Sequence, residues 1–118
     1  MTRSALVVVC LLILSGCVTR SYEWDDYDSR LYQYYKTPAT ADAFRVALET
    51  HLAELESRKV RPAPGLYAEL GTLYLENGDR ISAARYYTKE RDAWPESRYM
   101  MDALLANLQK FSKEGQKK

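Results

Sequence analysis

Few side chains in this sequence have the types and spacing that chemistry needs: two cysteines, one histidine and a short run of carboxylates. His51 is the single histidine, and its helical neighbours four residues away, Ala47 and Leu55, are apolar. A general base or a metal ligand works in company. With no second histidine beside it, His51 reads as a structural residue at the border of a core. Glu23, Asp25, Asp26 and Asp28 could suggest a cation site, but a calcium loop also needs a mid-loop glycine and a distal glutamate. The same acids suit a helix N-terminus, where the dipole favours negative charge. Gly65, Gly71 and Gly78 make no phosphate-cradling pattern, and there is no Gly-x-Ser-x-Gly elbow. These residues point to no enzyme, no metal and no cofactor.

The cysteines carry a clearer signal. Met1-Thr2-Arg3-Ser4 holds one positive charge, and Ala5 to Leu14 is an apolar run. A short basic start, an apolar centre and small residues at a cleavage point is the order of a secretory signal. The run is too short for a stop-transfer span, which needs about 20 apolar residues. Leu14-Ser15-Gly16-Cys17 resembles the lipobox of bacterial lipoproteins: a leucine, two small residues and an obligatory cysteine. An ordinary signal peptide with a chance cysteine is the plainer alternative, and the match at all four positions argues against it. The resemblance implies cleavage between Gly16 and Cys17, a diacylglyceryl group on the Cys17 thiol and a further acyl chain on the new amino group. Burial is worth about 0.8 kcal/mol per methylene, so several chains anchor firmly without help from the polypeptide. In enterobacterial lipoproteins an Asp after the lipid cysteine retains the protein in the inner membrane. Here that residue is Val18, which implies the outer membrane, facing the periplasm.

Without residues 1–16 the chain keeps 102 residues, with 16 basic and 16 acidic side chains. That balance argues against a nucleic-acid partner, which usually shows a basic excess, and the length suits one domain with a modest core. Cys10 leaves with the signal and Cys17 is acylated, so no thiol remains for a disulfide or a metal.

Residues 17–22 read as a lipidated tether and 23–111 as one helical domain. Tyr27, Leu31, Tyr34 and Tyr35 follow helical spacing until Thr37-Pro38 breaks it. Thr40 looks like the next N-cap, before a stripe of Phe44, Ala47, Leu48, Leu52 and Leu55 on a helix ending near Arg58. Pro62, Pro64 and Gly65 punctuate a loop. Leu66, Tyr67, Leu70, Leu73 and Tyr74 then form a helix that stops at Asn77-Gly78-Asp79. Ile81, Ala84 and Tyr87 continue in helical register towards Trp94 and Pro95. Ser97 is placed to cap a last helix through Met101, Leu104, Leu105, Leu108 and Phe111. Residues 112–118 read as a frayed polar tail. No segment alternates with a period of two, so the fold class is all-α, with about five helices.

Residues 64–97 resemble one tetratricopeptide repeat, a 34-residue helix-turn-helix unit. Counting Pro64 as position one puts Tyr67 fourth, Leu70 and Gly71 seventh and eighth, and Tyr74 eleventh. Ala83 falls twentieth, Tyr87 twenty-fourth and Pro95 thirty-second. Gly71 and Ala83 are small where two helices must cross, and the tyrosines fill space around that crossing. Glu90 departs from the pattern: the twenty-seventh position prefers a small residue, which puts packing against a following unit in doubt. A lone repeat cannot bury its apolar face, and about three are typically needed. The flanks should therefore be degenerate units: downstream Met101, Leu104, Leu105 and Leu108 take first-helix core positions, and upstream Tyr32 and Tyr35 with Leu48, Leu52 and Leu55 fit only after a small register shift.

The lipobox, the block from Tyr22-Glu23-Trp24 to Leu31-Tyr32-Gln33-Tyr34-Tyr35-Lys36 and the repeat together resemble a family of small bacterial outer-membrane lipoproteins with a domain of unknown function. Members are typically encoded beside a lipoprotein similar to the curli secretion channel. The resemblance implies a membrane-anchored partner of another envelope protein, held transiently or as a permanent structural accessory of such a channel-like complex. Repeats of this kind bind along the face lined by their first helices, here Ala68, Thr72, Leu75 and Glu76. With no lysine or arginine among them, capture of a C-terminal carboxylate is disfavoured. The aromatic start offers a second partner surface through Tyr22, Trp24 and Tyr32.

Overall fold

The computed structural model describes residues 21–24 and 26–115, the last four by backbone alone. Five α-helices follow one another: α1 Tyr27–Lys36, α2 Ala41–Ser57, α3 Leu66–Glu76, α4 Arg80–Ala93 and α5 Arg98–Gly115. Short 3-10 turns, Pro38–Thr40 and Pro95–Ser97, precede α2 and α5. No strand occurs among the described residues, and the fold is all-α as expected. The expected signal, 1–16, and the Gly16–Cys17 junction lie outside the described residues.

Each boundary has a local cause. Pro38 and Pro95 each open a 3-10 turn at a place where the preceding residue is held extended or nearly so. Gly65 sits at the N-cap of α3 with φ +94, a left-handed backbone that glycine adopts without strain. Gly78, at φ +83, ends the α3–α4 turn. Asp79 then accepts the Ser82 N–H at 2.9 Å, a capping bond that satisfies one of the free donors of α4. We expect Asp79→Ala to cost about 1 kcal/mol, read as a lower melting temperature of the full chain in detergent.

Two other expected caps are differently employed. Thr40 stands at the N-cap of α2, but its hydroxyl donates to the Thr37 carbonyl at 2.8 Å. Ser97 donates to Glu90 instead of capping α5. The last helix also runs through Gly115, so the tail begins later than the expected boundary at Ser112.

The main core joins α2, the 59–65 loop, α3 and α4: Phe44, Leu48, Leu52, Ala63, Leu66, Tyr67, Leu70, Leu73 and Tyr86 are buried together. A smaller cluster, Ala83, Tyr87 and Met101, ties α5 to the α3–α4 hairpin. At the hairpin crossing an added Cβ on Gly71 would stand 2.8 Å from the Tyr87 ring and 3.2 Å from the Ala83 carbonyl. The crossing therefore admits no side chain at Gly71.

Several expected core positions lie elsewhere. Ile81 is 86% exposed, because α4 buries Ala83, Tyr86, Tyr87 and Glu90, and Ile81 lies about 200° around the helix from Ala83. Tyr86 takes the central place instead, with Tyr74 stacked on it at 5.5 Å and Tyr67 at 6.5 Å. In α1 the packed residues are Tyr27, Leu31 and Tyr34. Tyr32 and Tyr35, expected at framework positions of the upstream unit, are 66% and 74% exposed.

Candidate functional site

The exposed side of α3 carries the residues expected to meet a partner. Helical spacing sets Thr72 in the middle, Ala68 and Leu75 along one edge, and Glu69 and Glu76 along the other. The two edges face different neighbours. Ala68 and Leu75 pack beside Leu104 and Leu108 of α5 on the smaller core cluster. Glu76 accepts the Tyr34 hydroxyl of α1 at 3.1 Å. Thr72 is exposed, and its hydroxyl bonds to the Ala68 carbonyl at 3.0 Å and to Tyr87 Oη at 3.1 Å. The exposed strip of α3 between α1 and α5 is thus the candidate trough, acidic towards α1 and apolar towards α5.

Glu69 has no part in the sequence-based expectations and is the most informative residue of this trough. It is half-buried, and burial, with Glu76 adding to it, raises its carboxyl above the usual carboxylate range. No cation or hydrogen-bond donor meets it among the described residues. The same carboxylate helps to lift the Tyr27 phenol to about 12, after burial as the larger cause. Its signal is present in the sequence: Glu69, Thr72 and Glu76 share one stripe, with no lysine or arginine three or four residues from Glu69.

The aromatic start does not join this trough. Tyr22 meets Trp94 edge-on at 5.8 Å, and Trp24 leans on Tyr27 at 5.5 Å. Glu23 forms a two-pronged ion pair with Arg58, which holds its carboxyl below the usual range, and its carbonyl contacts His51 Nε2 at 3.0 Å. Tyr22, expected as the last residue of the tether, is thus packed on the domain. His51 acts as an anchor for this segment, in keeping with a structural role. Tyr32 alone of the three candidate aromatics is exposed, with Lys36 6.0 Å above its ring. The three early acids that are described do not converge either: Glu23 is held by Arg58, Asp26 lies 4.0 Å from Arg30 and Asp28 is exposed, while Asp25 lies outside the described residues.

Residues 21–104 match a family model described as a domain of unknown function (DUF4810). The chain belongs to this family. No curated protein and no solved structure matches it. The DUF4810 match takes in the Tyr22–Trp94 contact and runs through α1 to α4 and into α5 as far as Leu104, so that Leu108 lies beyond it. No helix among the described residues of this DUF4810 protein is long and apolar enough to cross a membrane.

Proposed function

We propose that this chain is a non-catalytic, lipid-anchored interaction module of the bacterial outer membrane, facing the periplasm. Cys17 carries the lipid, and the α3 trough holds a cation-bearing segment of another envelope protein. The observation that carries the partner's chemistry is Glu69: a half-buried carboxylate that would gain from a cation and meets none among the described residues. A segment with a lysine or arginine towards Glu69 and Glu76, and an apolar side chain towards Leu75 and Leu104, satisfies both edges. The Gly71–Ala83 crossing and the flanking hairpins support reading 64–97 as a tetratricopeptide-like repeat between degenerate neighbours.

The test has two arms. Cys17→Ala should abolish labelling by a clickable palmitate and release the protein from the membrane fraction; a variant that stays anchored overturns the lipoprotein reading. A photo-crosslinker at Thr72 should capture an envelope protein, and Glu69→Lys should lower that capture by about tenfold, or 1.4 kcal/mol. Capture that ignores Glu69→Lys rules out the trough. A product that stays at fixed stoichiometry through detergent purification favours the permanent-accessory reading over a transient one.

Stability reports on the same carboxylate. Because folding raises its pKa, Glu69 favours the folded state below its unfolded pKa, and that contribution is lost as pH rises through the folded value. Glu69→Gln should thus leave the fold at least as stable at neutral pH, separating lost binding from lost structure.

A further inference from the structure

The helices alternate in direction, and one end of the stack gathers the starts of α1, α3 and α5 with the ends of α2 and α4. Arg61 lies over the Trp94 ring at 3.9 Å, Gly65 N–H donates to Glu90, and Tyr22 meets Trp94 from the other segment. The chain that leads back to Cys17 is therefore fastened to this end. Four residues separate Cys17 from Tyr22, so the five Cα–Cα steps between them span at most about 18 Å when fully extended.

The exposed residues of this end fit a lipid surface. Lys59, Arg61 and Arg98 enter no ion pair among the described residues, whereas Glu23 is taken by Arg58 and Asp92 by Arg91. Glu96 is exposed beside Arg98, and Asp26 and Asp28 are exposed at the start of α1. Tyr99 is 90% exposed and Met100 57%. Both sit on the first turn of α5, where Cα–Cβ bonds tilt towards the helix start and so towards this end. Tyrosine beside lysine and arginine is the composition that settles at headgroup level, rings in the glycerol region and cations on phosphates.

We propose that this end of the domain rests on the phospholipid headgroups. Lys59, Arg61 and Arg98 lie against phosphates, and Tyr99 and Met100 dip into the interface. The α3 axis then stands away from the membrane. The Pro38–Thr40 and Asn77–Asp79 turns mark the distal end, and the trough opens sideways to a partner. This inference rests on the lipid-anchor reading.

The experiment uses the acylated protein in vesicles of phosphatidylethanolamine and phosphatidylglycerol that carry a headgroup nitroxide. A fluorophore is placed at Tyr99→Cys or, separately, at Asn77→Cys. Quenching should be several-fold stronger at position 99 than at 77, and it should fall when Lys59, Arg61 and Arg98 are all changed to Glu. Equal quenching at the two positions, or stronger quenching at 77, overturns the orientation. The mass of the N-terminal peptide separates the two failures. An acylated Cys17 with equal quenching sinks the orientation alone, and an unacylated Cys17 sinks the anchor and the orientation with it.

Discussion

Gly71→Ala should lower the stability of this protein by about 1–2 kcal/mol, although alanine is the better helix former by about 1 kcal/mol. The new methyl would stand 2.8 Å from Cδ1 and Cε1 of Tyr87, closer than carbon atoms pack. Two facts keep the ring from yielding. Tyr87 is 1% exposed, and its hydroxyl is tied to Thr72 at 3.1 Å. The Ala83 carbonyl, 3.2 Å from the methyl on the facing helix, blocks a backbone shift on that side. Overpacking of such a core costs about 1–3 kcal/mol, which exceeds the helical gain. For a domain of this size, each kcal/mol lowers the melting temperature by about 4–8 °C. Thermal unfolding of the full chain in detergent measures it. Pairing Gly71→Ala with Tyr87→Leu, which removes the ring, should recover part of the loss relative to Tyr87→Leu alone. Gly71→Ala as stable as the parent would mean that the crossing is looser than the structure has it.

The crossing was legible in the sequence because it depends on residue size at fixed positions. A glycine and an alanine twelve residues apart, with tyrosines on either side, suit a close helix crossing and little else. The helix boundaries were legible for the same local reason, through Pro38, Gly65, Gly78 and Pro95. What periodicity could not settle was rotation about the helix axis. Ile81 and Tyr86 are both apolar enough to be inside, and Tyr32 and Tyr35 rival Tyr27 and Tyr34. Only the position of the neighbouring helix decides which residue turns inward. The candidate trough was half legible. Ala68, Thr72, Leu75 and Glu76 follow from knowing which helix is first in the hairpin. Glu69 required knowing that α1 lies beside α3 and desolvates it. Tyr22 and Trp24 do not form the free surface that their types suggest, because their partners, Trp94 in particular, are distant in sequence.

Glu90 is the sharpest case of a local departure with a tertiary purpose. A glutamate where a small residue is usual suggests poor packing against the next helix, yet Glu90 is 0% exposed and α5 packs on α4 beside it. Its Oε1 accepts the Gly65 N–H at 2.8 Å and the Ser97 hydroxyl at 2.9 Å. One carboxylate thus caps the start of α3, where the helix dipole welcomes negative charge, and pins the turn that launches α5. Glu90→Ala removes both acceptors and leaves a void among buried groups. Hydrogen bonds to a charged group are worth about 1.5–3 kcal/mol each, so with partial relaxation we expect a loss of about 3 kcal/mol. Glu90→Gln keeps an acceptor for both donors and gives up mainly the charge at the helix start, about 1 kcal/mol. Urea unfolding of the two variants reads the difference. The pattern expected is a large loss for alanine and a small one for glutamine. Equal losses would place the effect in the charge instead of the hydrogen bonds. An alanine variant within about 0.5 kcal/mol of the parent, the range of ordinary surface substitutions, would show that α3 and α5 hold their places without Glu90.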